Sequence, residues 1–251
     1  MKRIRKLNDI PQRIESPLDR QGLRRWTVML VWLVSLSCSG YGQRSGSTGE
    51  IHGEITIKTN DELSDEIFRG RMMSRYTSDL STAEKSIEPY SVSEKAVVYI
   101  ESTGESKSYT VPDEHPQLNQ RDLIFRPLVL PIVVGTTVDF PNNDKVFHNV
   151  FSYSQPKEFD LGRYPQGKSK SVTFEKPGVV NVYCEIHQYM YATILVLENP
   201  FYAVPDDDGV FVIHNVPPGT YQLSFWYGRK KVATKNVSVK ANEVSAVNFS
   251  F

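Results

Sequence analysis

The chain has 251 residues, with 29 Lys and Arg balanced by 29 Asp and Glu, and it contains only two cysteines. This balance, with 23% charged residues, excludes a basic nucleic-acid binder and an acidic disordered chain. Two cysteines are too few for a scaffold of several disulfides or for a site of four thiolates.

The first predicted element is the N-terminal segment, residues 1–43. Residues 1–25 carry eight Lys or Arg and three Asp or Glu, and residues 26–43 carry no charge. The apolar run has 11 residues, which is short for a membrane span, and small residues follow it. We therefore expect a secretory signal and an exported protein, periplasmic or at the cell surface. The alternatives are a retained membrane anchor and lipidation at Cys38.

Residues 44–95 are expected to form a polar leader and insertion. One strand is predicted at residues 53–58, where the sequence GEITIK has β-forming residues. The rest of this stretch has no sustained spacing of two or 3.6 residues between its apolar side chains. We expect this early strand to join a sheet formed elsewhere in the chain.

Residues 96–199 have the pattern of a β-sandwich. Short runs rich in Val, Ile, Thr and aromatic residues are separated by turn signals such as Gly135, Gly167 and Gly178. Residues 200–251 predict a second, smaller β module of four strands. A module of about 50 residues is marginal alone, so we expect it to pack on the first one.

One loop carries three kinds of metal ligand. Cys184, His187 and Met190 have the spacing CxxHxxM between two predicted strands, and His148 lies upstream on a predicted neighbouring strand. A thiolate, two imidazoles and a weak axial thioether suit copper that cycles between two oxidation states. If Cys38 is removed or modified, Cys184 is the single thiol of an exported protein, and such a thiol needs a partner.

The same residues also have a structural interpretation, in which Cys184 is a small buried hydrophobic residue, Met190 fills the core and His187 lies on the surface. That interpretation requires the ligand-like pattern of all four residues, His148 included, to have arisen by chance. The other histidines are expected to be structural or exposed: His52, His115 and His214.

The strings FPNNDKVFHNV and VVNVYCEIHQYM resemble those of a cupredoxin, the type 1 blue copper fold, over residues 96–199. The gap between His187 and Met190 is similar to that of amicyanin, whereas plastocyanin-like loops are longer. The flanking strings NVFSYS, FDLGRYPQG and IHQYM also resemble exported methylamine-utilisation-like proteins. The resemblance implies one copper ion held by His148, Cys184, His187 and Met190. It also implies that Asn149 ties the two ligand loops together.

The tail string DDDGVFVIHNVPPGTYQLSFW resembles a carboxypeptidase-regulatory-like, or transthyretin-like, module, which is noncatalytic in that family. The predicted fold class is therefore all-β. A Greek-key cupredoxin β-sandwich at residues 96–199 is expected to be followed by a small transthyretin-like β-sandwich at residues 200–251.

The predicted function is that of an exported mononuclear copper protein that carries single electrons between redox partners such as haem proteins. We do not expect an enzyme, because the sequence has no HxH pair for a trinuclear copper cluster, no CxxxC, and no GxSxG, HExxH or Walker loop. Two alternatives stay open at this point. One is a copper carrier or sensor, and the other is an interaction module whose metal only stabilises the fold.

Overall fold

The described part of the chain is almost entirely β-structure, as the fold class predicts. The structure is a computed structural model, and it describes residues 47–57, 90–104 and 109–251. The predictions for residues 1–43, for Cys38 and for most of the leader and insertion lie outside these ranges. Within them, no helix is long and apolar enough to cross a membrane.

The described residues form one helical turn, α1 (Val92–Lys95), and seventeen strands. The strands are β1 (Gly49–Thr56), β2 (Ala96–Ile100), β3 (Asn119–Arg121), β4 (Ile124–Arg126), β5 (Val129–Val133), β6 (Thr137–Pro141), β7 (His148–Ser154), β8 (Lys157–Tyr164), β9 (Ser169–Thr173), β10 (Gly178–Tyr183), β11 (Tyr191–Leu197), β12 (Tyr202–Ala203), β13 (Val210–Val216), β14 (Gly219–Tyr227), β15 (Lys230–Val239), β16 (Val244–Ala246) and β17 (Phe249–Ser250).

The first sandwich is built on a five-stranded sheet with the order β5-β11-β10-β7-β8. The pairs β6–β9 and β3–β4 contribute to the same sandwich. Inward side chains of these strands form one core, which includes Phe140, Val150, Phe174 and Ile194. Cys184 and Met190 are part of this core, so the candidate ligand loop starts and ends inside the sandwich.

The second sandwich combines the tail with two earlier strands. One sheet has the order β13-β1-β16, with β17 also paired to β1, and the other has the order β12-β2-β14-β15. The expected addition of the early strand to the tail is therefore present, over Gly49–Thr56 rather than over residues 53–58. Its core includes Ile51, Val98, Phe225 and Phe249.

Strand β2 belongs to a different sandwich from the one in which the sequence places it. Ala96–Ile100 is the first strand of the predicted range 96–199, yet it hydrogen-bonds to β14 and β12 of the tail sandwich. Successive side chains of a strand point to opposite faces, and here both faces are covered. Val98 packs in the tail core, while Val97 packs in a third cluster with Leu195 of β11. That third cluster joins the two sandwiches, as the sequence predicts for so small a tail.

Candidate metal centre

The sheet register brings the two predicted ligand segments together. Strand β10 ends at Tyr183, which pairs with Phe151 of β7. Cys184 therefore follows directly after a strand whose neighbour begins at His148. On the other side of the loop, the amide of Met190 donates to the carbonyl oxygen of His187 at 2.9 Å, which closes a turn just before β11.

Three donor atoms converge at this end of the sandwich. The Sγ atom of Cys184 lies 3.7 Å from Nδ1 of His148 and 3.8 Å from Nδ1 of His187. The two Nδ1 atoms are 3.0 Å apart. His148 is fully buried and Cys184 is 2% exposed, while His187 is only half-buried.

The two distances between sulfur and nitrogen fit a metal ion bound by two imidazoles and a thiolate, while the two Nδ1 atoms, 3.0 Å apart, are closer than trigonal angles would place them. Metal–nitrogen bonds of about 2.0–2.1 Å and a metal–sulfur bond of about 2.3 Å, at trigonal angles, hold nitrogen and sulfur about 3.8 Å apart. The observed distances between sulfur and nitrogen are 3.7 and 3.8 Å. A soft thiolate with two imidazoles is a donor set that suits copper.

Met190 has a side chain that is fully buried in the same core as Cys184. The structure therefore brings His148, Cys184 and His187 together as one group and sets Met190 in the core beside them. The role of Met190 as the weak axial ligand stays a prediction.

Asp144 is a member of the site that the sequence analysis missed. Its Oδ2 atom lies 2.8 Å from Nε2 of His148, on the side of the ring that faces away from Cys184. A carboxylate in this position fixes the tautomer and the orientation of a metal-binding imidazole and raises its basicity. His148 is therefore pre-oriented with Nδ1 directed at the thiol. Asp144 and His148 are four residues apart at the start of a strand. A spacing of four residues predicts a side-chain contact only within a helix, so the sequence does not reveal this one.

The tight turn between β3 and β4 holds the carboxylate of Asp144 in place. The backbone amides of Asp122 and Leu123 donate to its carboxylate at 2.7 and 3.0 Å. Both residues have positive φ, 58° and 60°, in the two-residue connection between β3 and β4. Such a conformation is costly for a side chain like that of Leu123. The carboxylate acceptor helps to stabilise this turn, and the turn fixes the carboxylate.

Asn149 links the two ligand segments, as the resemblance implies. Its Oδ1 accepts a hydrogen bond from the amide of Glu185, next to Cys184, at 3.4 Å. Its Nδ2 donates to Asp160 at 2.6 Å, and the residue is 2% exposed. The side chain thus bridges the start of β7 and the residue after the thiol.

Replacing Asn149 with Ala is expected to loosen the site. The bridge to Glu185 is a single long hydrogen bond, so we expect copper affinity to fall about 10-fold, the lower end of the range for outer hydrogen-bond partners. Competition with a chelator of known copper affinity measures the change. An unaltered affinity would show that Asn149 supports only the fold. Asn181→Ala, on the same sheet, is the control.

The surroundings favour a thiolate at Cys184. Burial alone would raise the pKa of this thiol. Hydrogen bonds from His148 and His187, and from the backbone amides of Asn149 and His187, outweigh burial and lower the pKa to about 5. For His148, burial opposes the charged ring, but Asp144 and Cys184 together raise its pKa to about 9. Without metal, the centre is therefore a thiolate beside an imidazolium, and a bound metal ion would replace the proton between them.

The thiol of the metal-free protein is therefore expected to titrate far below its ordinary range. Ultraviolet thiolate absorbance should show a midpoint near pH 5 in the folded protein, against about 8.5 in the unfolded chain. Because the folded value is the lower one, the stabilisation from this group is fully present above the unfolded value. It is lost as the pH falls through the folded value. A folded midpoint above pH 8 would contradict the thiolate assignment.

Residues 115–197 match a known family, the copper binding proteins of the plastocyanin/azurin family. This stretch includes all four predicted ligands, His148, Cys184, His187 and Met190. Together with the sandwich fold and the converging donors, the match supports a cupredoxin domain in this part of the chain. The carboxypeptidase-regulatory-like resemblance of the tail stays a prediction.

Solved structures that are similar to the chain include three copper proteins. A copper-containing nitrite reductase from Thermus scotoductus SA-01 is 28% identical with a TM-score of 0.34, over 40% of this chain and 25% of that one. The matched region therefore spans a quarter of the reductase. A purple cupredoxin from Nitrosopumilus maritimus is 29% identical with a TM-score of 0.30, over 32% and 98% of the two chains. A Cu(I) amicyanin mutant is 19% identical with a TM-score of 0.32, over 41% and 98%.

Proposed function

We propose that this protein is a mononuclear type 1 copper protein that carries single electrons between redox partners. The observation that carries the proposal is the meeting of two imidazole Nδ1 atoms and one thiol sulfur at the end of a buried core. These donors accept either oxidation state of copper, whereas a hard ion such as Mg²⁺ or Ca²⁺ prefers oxygen ligands.

The contribution of the protein to this function is to hold the donor side chains in a fixed geometry. Copper, when bound, supplies a one-electron couple between Cu(I) and Cu(II). Asp144 holds the ring of His148, and burial in the core keeps water from Cys184. Donors that keep one geometry in both states limit the reorganisation that electron transfer requires. Of the four candidate ligands, His187 is the one that is not fully buried, so its ring is the proposed route by which an electron would enter or leave.

The location of the protein, its redox partner and the role of its tail are also proposals. The basic and apolar N-terminal segment supports export to the periplasm or the cell surface, with the segment cleaved, retained as an anchor or lipidated at Cys38. A redox protein such as a haem protein is the proposed partner. For residues 200–251 we propose a noncatalytic carboxypeptidase-regulatory-like module, on the basis of its sequence string and its sandwich.

Redox cycling of the loaded protein separates this proposal from its two alternatives. The protein is loaded with one equivalent of copper and reduced and reoxidised repeatedly, while visible absorbance and bound copper are followed. An electron carrier cycles without copper loss. Transfer of Cu(I) to an added copper acceptor would instead indicate a carrier or sensor. A metal that raises the melting temperature but does not cycle would indicate a stabilising role only.

Met190→Leu is expected to keep copper and raise the reduction potential. A thioether at the weak axial position donates more to Cu(II) than to Cu(I), so its loss favours the reduced state. Leu has a similar volume, and such core exchanges usually cost less than about 1.5 kcal/mol. Voltammetry of the variant measures the shift. An unshifted potential would show that Met190 only fills the core.

A further inference from the structure

A cavity of about 410 Å³ lies where the two sandwiches meet, outside the candidate metal centre. Its walls come from β5 of the first sandwich, from Tyr202 of β12 and from the segment 112–117. We propose that this cavity binds a small organic cation with an apolar body. The proposal does not rest on the function of the metal centre, because none of the four candidate copper ligands lines the cavity.

The apolar surface of the cavity comes mainly from β5 and Tyr202. Ile132 belongs to the core of the first sandwich, so Pro131 and Val133 on either side of it point to the opposite face of the sheet. Tyr202 lines the same cavity and also packs against the cluster that joins the two sandwiches. A cavity of about 300–1,000 Å³ with mostly apolar walls and a few polar groups is typical of a small-molecule site.

The polar wall of the cavity is held in place by hydrogen bonds to β6. The amide of Asp139 donates to the carbonyl oxygen of Pro116 at 3.0 Å, and the amide of Leu118 donates to the carbonyl oxygen of Asp139 at 2.9 Å. Nδ1 of His115 also lies 3.1 Å from the carboxylate of Asp139. The wall is therefore formed before a ligand arrives, and less conformational freedom is lost on binding.

Three residues offer hydrogen-bond acceptors to a ligand in the cavity. The carboxylate of Glu114 has no ion pair within the described residues. Nδ1 of His115 donates to Asp139, so Nε2 of the neutral ring is left as an acceptor. The hydroxyl of Tyr202 has no hydrogen-bond partner in the described part of the chain, and burial raises its pKa. An ammonium group, with three hydrogens to donate, matches such acceptors.

The charge of the lining favours a cation over an anion. No Lys or Arg is among the described residues that line the cavity, and Glu114 supplies a negative charge. The carboxylate of Asp139 behind His115 is ionised, because hydrogen bonds from Ser171 and then from His115 lower its pKa. An anion would be repelled by both carboxylates, whereas a cation is attracted by Glu114 and by the aromatic ring of Tyr202.

Three probes that share one ring and differ in charge test the proposal: benzylamine, benzyl alcohol and benzoate. Each is titrated into the full-length protein, loaded with copper and reduced to Cu(I), while the amide NMR signals are followed. Benzylamine is expected to shift the signals of Glu114, Val133 and Tyr202. It should bind about 5-fold more tightly than benzoate, or better, since an exposed charge pair is worth up to about 5-fold. Benzyl alcohol should have an intermediate affinity.

Two variants locate the binding in the cavity. Glu114→Gln keeps the shape of the side chain and removes its charge, so the affinity for benzylamine should fall about 2–5-fold while that for benzyl alcohol stays the same. Tyr202→Leu removes the ring and should weaken both. Glu158→Gln is the matched control, because Glu158 is an exposed carboxylate on β8, at the opposite edge of the five-stranded sheet from β5.

Three results would overturn the proposal: equal affinity for the three probes, shifts around His187 instead of the cavity, or unchanged benzylamine binding in Glu114→Gln. If Tyr202→Leu fails to fold, Glu114→Gln still decides, because Glu114 is exposed. The same titration tests the cavity in a protein that takes up no copper. The proposals for the cavity and for the metal centre therefore fail separately.

Discussion

Cys184→Ser is expected to abolish the intense visible absorption of the copper-loaded protein. The absorption arises from charge transfer between thiolate and copper, and a hydroxyl oxygen cannot supply it. Ser is nearly isosteric with Cys, so the core around this 2% exposed position should retain its packing. The expected result is a folded protein with weak copper binding and no coloured site, measured by visible spectroscopy and by the melting temperature.

The control for this prediction is Cys38→Ser, which removes the other cysteine and should leave the spectrum intact. Cys38 lies outside the described residues, and the predicted ligand set does not include it. A Cys184→Ser protein with the spectrum of the unmodified protein would contradict the assignment of the thiolate ligand.

Asp144→Ala is expected to have the second-largest effect, because the variant removes the anchor of His148 together with a negative charge beside the site. The 2.8 Å contact to Nε2 is lost, and the turn at Asp122 and Leu123 loses its acceptor. Outer partners of this kind typically contribute 10–100-fold to metal affinity, and we expect a loss near the upper end, about 100-fold. The reduction potential should rise, since the carboxylate favours Cu(II) over Cu(I).

Asp144→Asn separates geometry from charge. Its amide oxygen still accepts a hydrogen bond, so the ring of His148 should keep its orientation while the potential still rises. Asp139→Asn is the matched control, because that carboxylate holds a histidine, His115, outside the centre. Copper affinity and potential that are unchanged in both Asp144 variants would show that Asp144 supports only the local turn.

The meeting of the candidate donors could be predicted from sequence because the pattern that indicates it is local, and their role as copper ligands stays a prediction. The spacing of Cys184, His187 and Met190 fixes three donors on one loop, and a sandwich has few ways to arrange the strand that begins at His148. The expected bridge by Asn149 is present for the same reason, since it follows the first histidine directly. The structure brings together three of the four predicted donor residues, and the fourth is buried in the same core.

Asp144 could not be predicted in the same way. Its role depends on a turn in which Asp122 and Leu123 both adopt positive φ, and Leu123 is not one of the residues, Gly, Asn or Asp, that usually mark such a turn. The strands that neighbour β2 could not be predicted from the sequence either. An apolar run such as AVVYI shows that both faces of a strand are covered, but it does not identify the neighbouring strands.

The central claim, a single type 1 copper centre, is tested most directly by titrating the metal-free full-length protein with Cu(II) while recording visible absorption. An intense thiolate band is expected to grow to saturation at one equivalent, to disappear on one-electron reduction and to return on reoxidation. Further Cu(II), taken up by exposed imidazoles and carboxylates, should add no intense band, because those groups supply no thiolate. A titration in which the folded protein develops no thiolate band, or in which the band does not return after reduction, would contradict the account.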